Sequence, residues 1–201
     1  MATAFSKLDL PEPSAAAVRR VVGLALADAI VRLHPQGETA TLEALACHYV
    51  EAFGLLRKKG ETREWLYPGV LDTLTGIEAA GWLLGMATGK SHRGALATLS
   101  AHGLSERFAT IQTADRAAGK PSPDMIDRAL AETGACRTRT VMIGDTTYDI
   151  EMARNAGVVA VGVDWGYHPR SELLAAGAAA VVDDCAILPE LIEDLVAATA
   201  A

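Results

Sequence analysis

Cysteine is scarce here: Cys47, Cys136 and Cys185 are odd in number, far apart and outside any C-x-x-C pattern. That speaks against a disulfide-stapled scaffold and against a cysteine-rich metal module, and it leaves reduced packing residues of the kind a cytoplasmic protein carries. Long apolar runs are missing too, so no segment is suited to crossing a bilayer. The opening residues, M-A-T-A-F-S-K-L-D-L, place no apolar stretch behind a basic start, and no secretory signal is read. Positive charge is in deficit, with 18 Lys and Arg against 25 Asp and Glu and a formal net charge of -7. Such a balance argues against nucleic acid or an anionic membrane as the main partner. It leaves room for a small phosphorylated metabolite, because a local basic pocket can sit within an acidic protein. No repeat of fixed period and no low-complexity linker interrupts the chain.

What is present is 201 residues, half of them hydrophobic, enough for one domain with a real core or one domain carrying a smaller insert. The first third reads as helices only. One begins at Ser14 and stops near Gly23, and a second covers residues 26–33. A third carries Leu42, Leu45, Ala46, Tyr49, Val50, Phe53 and Leu56 at three-and-four spacing and ends at Lys58-Lys59-Gly60. Pro68-Gly69 breaks this pattern. Beyond it, strand and helix alternate: helix 70–80, strand 82–87, helix from Ser91 to His102-Gly103, a weaker strand 110–113, helix 125–133, strand 141–143, helix 150–156, strand 158–163 and strand 180–182. Alternation of this kind predicts a parallel sheet with helices on its faces. The alanine-rich residues 175–180 read as helix and tight packing.

The most informative stretch is T-V-M-I-G-D-T-T-Y-D, residues 140–149. Val141, Met142 and Ile143 have the look of a buried parallel strand, and Gly144 closes it before Asp145. Ligands of open α/β sheets collect beyond the carboxyl ends of strands, where Asp145 and the nearby Asp149 stand. Two carboxylates there suit Mg²⁺, which takes one or two protein carboxylates and leaves its other positions to water and phosphate. The same residues also serve as helix caps, Asp145 or Thr146 at the N-cap and Asp149 in the first turn. Thr88 and Gly89 follow the strand at 82–87, where a hydroxyl and a backbone N–H can hold a phosphate oxygen, or simply end the strand. Lys120, in G-K-P-S-P-D, is either a surface lysine or an ammonium aimed by two flanking prolines. Together these residues supply a hydroxyl, a cation and a metal site, which are the parts of phosphoryl transfer.

The order T-G-K (Thr88, Gly89, Lys90), K-P-x-P (from Lys120) and G-D-x-x-x-D (Asp145, Asp149) resembles motifs two to four of the haloacid dehalogenase superfamily of phosphatases. Tyr67-Pro68-Gly69-Val70, His102-Gly103-Leu104 and Val163-Asp164-Trp165-Gly166-Tyr167-His168 look like its phosphoglycolate-phosphatase-like branch. The resemblance implies a Rossmann-like three-layer α/β/α core over residues 67–201 and a helical cap over residues 1–66. It also implies that Thr88, Gly89 and Lys90 bind the substrate, Lys120 steadies the phosphorylated nucleophile, and Asp145 with Asp149 holds Mg²⁺. His92 and Arg93 are further candidates for binding the substrate's far end. The Trp165-Gly166-Tyr167 segment is given no catalytic task.

That family's first motif, a strand ending in D-x-D-G-T whose first aspartate attacks phosphorus, does not occur. Asp9, Asp28 and Asp183-Asp184 all lack the pattern. The resemblance places the corresponding strand mid-sheet, between the strands at 141–143 and 82–87. An empty slot there exposes roughly five backbone groups on each edge, at about 1–3 kcal/mol for each one left buried and unpaired, against a total stability of about 5–15 kcal/mol. The expectation is that the flanking strands close together, that another segment fills the slot, or, as the favoured reading, that the protein starts upstream. Functionally, the resemblance implies a phosphatase of small, phosphoglycolate-like phosphate monoesters acting through an aspartyl-phosphate, N-terminally shortened and inactive or nearly so as given. The alternative is a catalytically dead scaffold binding phosphate or a protein partner. Oligomeric state is left open.

Overall fold

The structure is a computed structural model and describes residues 1–62 and 64–199. Arg63, Ala200 and Ala201, which fall inside the two expected segments, lie outside the described residues. Four helices come first: α1 (Ala2–Ser6), α2 (Ala15–Arg20), α3 (Leu26–Leu33) and α4 (Thr39–Lys58). Ser14 starts α2 by accepting the Ala17 N–H, and Arg19 and Arg20 occupy its last turn, where the helix dipole favours cations. Phe5, Ile30 and Leu45 bring α1, α3 and α4 together around one small core, with Leu42, Ala46 and Tyr49 at its margin. The first half of the periodic stripe, Leu42 to Tyr49, thus packs as its spacing predicts, while Val50 and Leu56 remain exposed; α1 was not foreseen. Among the described residues, no helix is long and apolar enough to cross a membrane.

The alternating part then runs α5 (Val70–Ala79), β1 (Leu84–Thr88), α6 (His92–Ala101), β2 (Phe108–Thr113), α7 (Asp124–Thr133), β3 (Val141–Gly144), α8 (Thr147–Asn155), β4 (Val159–Val163), α9 (Arg170–Ala176), β5 (Ala180–Val182) and α10 (Leu188–Thr199). All strand pairings are parallel. One helical layer, α7 to α9, buries Met125, Ile150, Met152 and Leu173 against Ala87 and Met142. The opposite layer, α5 and α10, buries Ile77, Leu188 and Ile192 against Leu84, Val141 and Ile143. This is the expected three-layer α/β/α arrangement, held by apolar side chains on both faces of every central strand.

Local differences have local causes. Trp82 does not enter β1 because its N–H is taken by the Ile77 carbonyl, which closes α5. Helix α8 starts at Thr147 instead of residue 150 because Thr146 and Asp149 form a reciprocal capping box. Residues 175–180 are not one helix: α9 stops at Gly177, whose φ of +104° suits only glycine, and Ala180 already belongs to β5. Helix α10 was also not foreseen.

The sheet is divided. β1 pairs with β2, and β3 with β4 and β5, but among the described residues no ladder joins β1 to β3. Both strands nevertheless lie between the same two helical layers. The flanking strands therefore do not close together, and no other described segment forms a strand between them.

Candidate functional site

Asp145 leaves the tip of β3 and Asp149 sits one turn into α8, so both carboxylates stand at the carboxyl end of the sheet. Asp149 is buried and fully engaged. One oxygen accepts from the Lys120 ammonium at 2.5 Å; the other accepts from the Thr146 N–H at 3.0 Å and the Thr146 hydroxyl at 2.7 Å. Its backbone neighbour Gly144 leaves no room for a side chain, since a Cβ there would run into the Asp149 carboxylate. Asp145 accepts the Tyr167 N–H at 3.0 Å, and Gly166 lies directly against its side chain for the same steric reason. Burial, then the Asp149 charge, raises the Asp145 carboxyl above its ordinary range; the Tyr167 N–H and Lys120 oppose the shift. Two carboxylates face one buried ammonium here, and the surplus negative charge falls on Asp145.

Lys120 is 6% exposed, held where the chain turns from Gly119 into Pro121 through a cis peptide bond. Thr88 ends β1, and its hydroxyl accepts the Lys90 N–H at 3.2 Å. Behind this turn Asp115 binds the His92 N–H through both oxygens, at 2.9 and 3.1 Å, and takes a 2.6 Å hydrogen bond from Thr113. The Thr113 hydroxyl, then the His92 N–H, holds the Asp115 carboxyl below its ordinary range despite partial desolvation. Lys90 points elsewhere: its ammonium is 2.6 Å from Glu64 and 3.0 Å from the Thr98 hydroxyl, while Thr98 also donates to Glu64. The expected substrate-binding lysine is thus tied to the connection between α4 and α5. The His92 Nδ1 is buried without a hydrogen-bond partner among the described residues.

One segment touches all three loops. The α2–α3 connection lays the Gly23 and Leu24 carbonyls against Gly89, sets Gly23 (φ +97°) on the Thr146 side chain, and brings Ala25 and Asp28 onto Gly119. It is fastened by the Arg20 carbonyl, which accepts the Tyr148 hydroxyl at 2.9 Å and lies 3.4 Å from His168 Nε2. His168 Nδ1 accepts the Thr147 N–H at 3.1 Å, so in the neutral ring Nε2 carries the proton and donates to Arg20. Burial, then Arg20, pushes the His168 imidazole below its usual value. Arg20 itself pairs with Glu172 at 2.7 Å, Arg32 reaches the Tyr148 hydroxyl at 3.2 Å, and Arg19 stacks on the Tyr167 ring at 5.3 Å.

The family profile described as haloacid dehalogenase-like hydrolase matches residues 1–163. This chain belongs to the haloacid dehalogenase-like hydrolases. It is 35% identical over 185 residues to a protein of Dickeya dadantii named probable phosphatase IndB, covering 90% of this chain and 79% of that one. It is 35% identical over 133 residues to a phosphoglycolate phosphatase of Mesorhizobium japonicum, covering 66% and 59% respectively. Among solved structures, a hydrolase from Pseudomonas syringae matches with a TM-score of 0.81 at 25% identity, covering 95% of this chain and 88% of that one. A predicted phosphatase from Clostridium acetobutylicum matches with a TM-score of 0.84 at 22% identity, over 96% and 88%, which speaks to the fold.

Within this haloacid dehalogenase-like hydrolase the donor set suits a hard cation of low protein coordination. Among the described residues no group of three or more His, Cys, Asp or Glu side chains could hold a metal. Asp145 accepts only backbone N–H groups among the described residues, whereas Asp149 would have to share an oxygen already bound to Lys120 or Thr146. At most two carboxylates and surplus negative charge match the habits of Mg²⁺. Reasoning from sequence gave Tyr167, Tyr148, His168 and Arg20 no part in the site. The Tyr167 contribution is a backbone N–H, which no side-chain motif announces, and the Arg20 contribution is a carbonyl.

Proposed function

We propose that this hydrolase is a Mg²⁺-dependent phosphatase of small, phosphoglycolate-like phosphate monoesters, acting through an aspartyl-phosphate, with residues 1–66 as cap and 67–201 as core. Asp145, assisted by Asp149, would hold the cation, which when bound neutralises charge on the phosphate. Thr88 and Gly89 would receive phosphate oxygens, and Lys120 would steady the phosphorylated group. The observation that supports this best is the convergence of the 88–90, 119–121 and 145–149 loops beneath one helix connection. The phosphatase names of the relatives point the same way.

These 201 residues contain no D-x-D-G-T pattern, and loss of a hydrolase nucleophile costs on the order of 10⁴ to 10⁶ in rate. The chain on its own is therefore proposed to bind phosphate with little or no turnover. Calorimetric titration with inorganic phosphate, with and without Mg²⁺, tests the site, and p-nitrophenyl phosphate hydrolysis tests turnover. Binding that needs Mg²⁺ and disappears in Asp145→Asn supports the reading. Phosphate binding that is indifferent to both Mg²⁺ and the substitution overturns it. A scaffold that serves a protein partner is the second reading, favoured by the Gly23 and Leu24 carbonyls already resting on Gly89. It prevails when neither phosphate nor Mg²⁺ binds.

A further inference from the structure

We propose that two copies of this chain join through the outer edge of β2, running antiparallel about a two-fold axis at Ile111. The observations that carry this lie away from the candidate site and are independent of any phosphatase activity. β2 is an outermost strand, on the side of β1 turned away from β3, and among the described residues it pairs with β1 alone. The Ala114 N–H donates to the Thr88 carbonyl, and Thr88 stands across from Thr113, so Thr110 and Gln112 turn their backbone groups toward β1. Ile111, between them, turns its N–H and C=O outward. The ladder's one irregularity falls between Leu84 and Gly85, and from Gly85 to Thr88 the register is unbroken. Proteins commonly blunt such an edge with charge, with proline or by keeping the strand very short. β5, the opposite outer strand, has three residues and runs straight into Asp183-Asp184. β2 has six, F-A-T-I-Q-T, with neither charge nor proline among them.

The charges sit at the two ends of β2 instead, and their order selects the partner. Glu106-Arg107 precedes the strand and Asp115-Arg116 follows it. A second copy laid antiparallel and centred on Ile111 brings Arg107 of one copy to Asp115 of the other, and Glu106 to Arg116, at both ends by symmetry. A slip of one residue sets Glu106 against Asp115 in one direction and Arg107 against Arg116 in the other, and like charges directly opposite destabilise an antiparallel pair. The sequence is therefore complementary to itself in one register. Its groups are also available: Glu106, Asp115 and Arg116 are exposed, and Arg107 spends Nε and Nη2 on Glu78 and Thr75 while Nη1 has no partner among the described residues. In the centred register the two Ile111 residues exchange N–H and C=O across the axis, the hydrogen-bonded kind of antiparallel pair. An isologous contact of this kind closes at two copies, whereas β2 set against the β5 edge of a neighbour would propagate without closing.

Sedimentation equilibrium of the chain as it stands, over a range of concentrations, is expected to show monomer and dimer in exchange. Glu106→Arg sets positive charges together at both ends of the pair, and Arg116→Glu sets negative ones together. Each alone is expected to raise the dimer dissociation constant at least tenfold. Mixing the two single variants restores opposite charges at both ends and should yield a heterodimer, and the double variant E106R/R116E should dimerise like the parent. Both substitutions are on exposed side chains, and circular dichroism is expected to find each variant folded. Residue-resolved amide exchange locates the contact: Ile111 should slow at least tenfold as protein concentration rises. Val181, which the bond from Asp164 to Val182 leaves facing outward on β5, should not change. The proposal is overturned by a monomer at every concentration, by a dimer indifferent to both single substitutions, by a mixture that restores nothing, or by protection at Val181 in place of Ile111.

Discussion

Replacing Lys120 by Met removes the cation from a pair in which both partners are almost wholly buried, 6% and 4% exposed at their side chains, and 2.5 Å apart. The hydrocarbon stem is preserved, so the loss isolates the charge. Left behind is the Asp149 carboxylate, still bonded to Thr146 but without its counter-ion. Breaking a buried pair from one side costs about 3–5 kcal/mol, a large share of the roughly 5–15 kcal/mol that holds a domain folded. With a urea m-value of about 2.5 kcal/mol/M, that is a midpoint lowered by roughly 1–2 M. Adding Asp149→Asn restores neutrality while keeping an oxygen for the Thr146 N–H and hydroxyl, so the double variant is expected to recover at least half of the loss. Urea melts followed by far-ultraviolet circular dichroism at pH 7.5 measure both variants. A midpoint shift below about 0.5 M, or a double variant less stable than Lys120→Met alone, refutes the assignment of this pair as a buried charge couple.

Asp145→Asn should stabilise the protein. Because the folded-state carboxyl is raised, the folded protein binds more protons than the unfolded chain between the two pKa values, and stability falls as pH rises through that window. The amide removes this penalty, so the gain should be present at pH 7.5, vanish below the ordinary carboxylate pKa, and reverse in millimolar Mg²⁺ if the cation binds the parent alone; thermal melts across pH decide it. Tyr148→Phe deletes the 2.9 Å hydrogen bond to the Arg20 carbonyl and should cost about 1 kcal/mol, with faster amide exchange in α2 and no change in α10. Exchange that speeds equally in both helices would mean global destabilisation instead. Gly166→Ala places a methyl into the Asp145 carboxylate, so Mg²⁺ affinity should fall at least tenfold; calorimetric affinity equal to the parent's would show that the loop yields.

The architecture was legible because its signals are local and redundant. Val141-Met142-Ile143 before Gly144, the Ser14 cap and the Leu42 to Leu56 periodicity each state their element within a few residues. Loop convergence at the candidate site was legible as three short motifs at strand ends. What stayed hidden was longer in range. Tyr148 reaches Arg20 across 128 residues, and Glu64 reaches Lys90 and Thr98 from the far side of α5. Nothing in the spacing of either partner foretells such contacts, because they are fixed by how the helices dock. Lys90 shows the consequence: placed correctly beside Thr88 and Gly89, it spends its charge on the preceding connection. Trp165-Gly166-Tyr167 shows the converse, a segment without an obvious chemical side chain that supplies the N–H holding Asp145. The division of the sheet was foreseeable as a problem, but its outcome, β1 and β3 left unpaired with each other between the same two helical layers, was not.

Charge around the site explains why a metal would matter more here than extra basic residues. Five cations of these segments are engaged: Arg20 with Glu172, Arg19 on Tyr167, Arg32 on Tyr148, Lys90 with Glu64 and Lys120 with Asp149. The carbonyls of Gly23 and Leu24 turn the negative ends of their dipoles toward Gly89. A phosphate arriving beside Asp145 would therefore meet surplus negative charge, and at roughly 4 Å two unit charges repel by about 4 kcal/mol at the effective dielectric of a protein surface. A divalent ion on Asp145 would reverse that sign without disturbing any of the five pairs, whereas recruiting one of those five cations would break its pair.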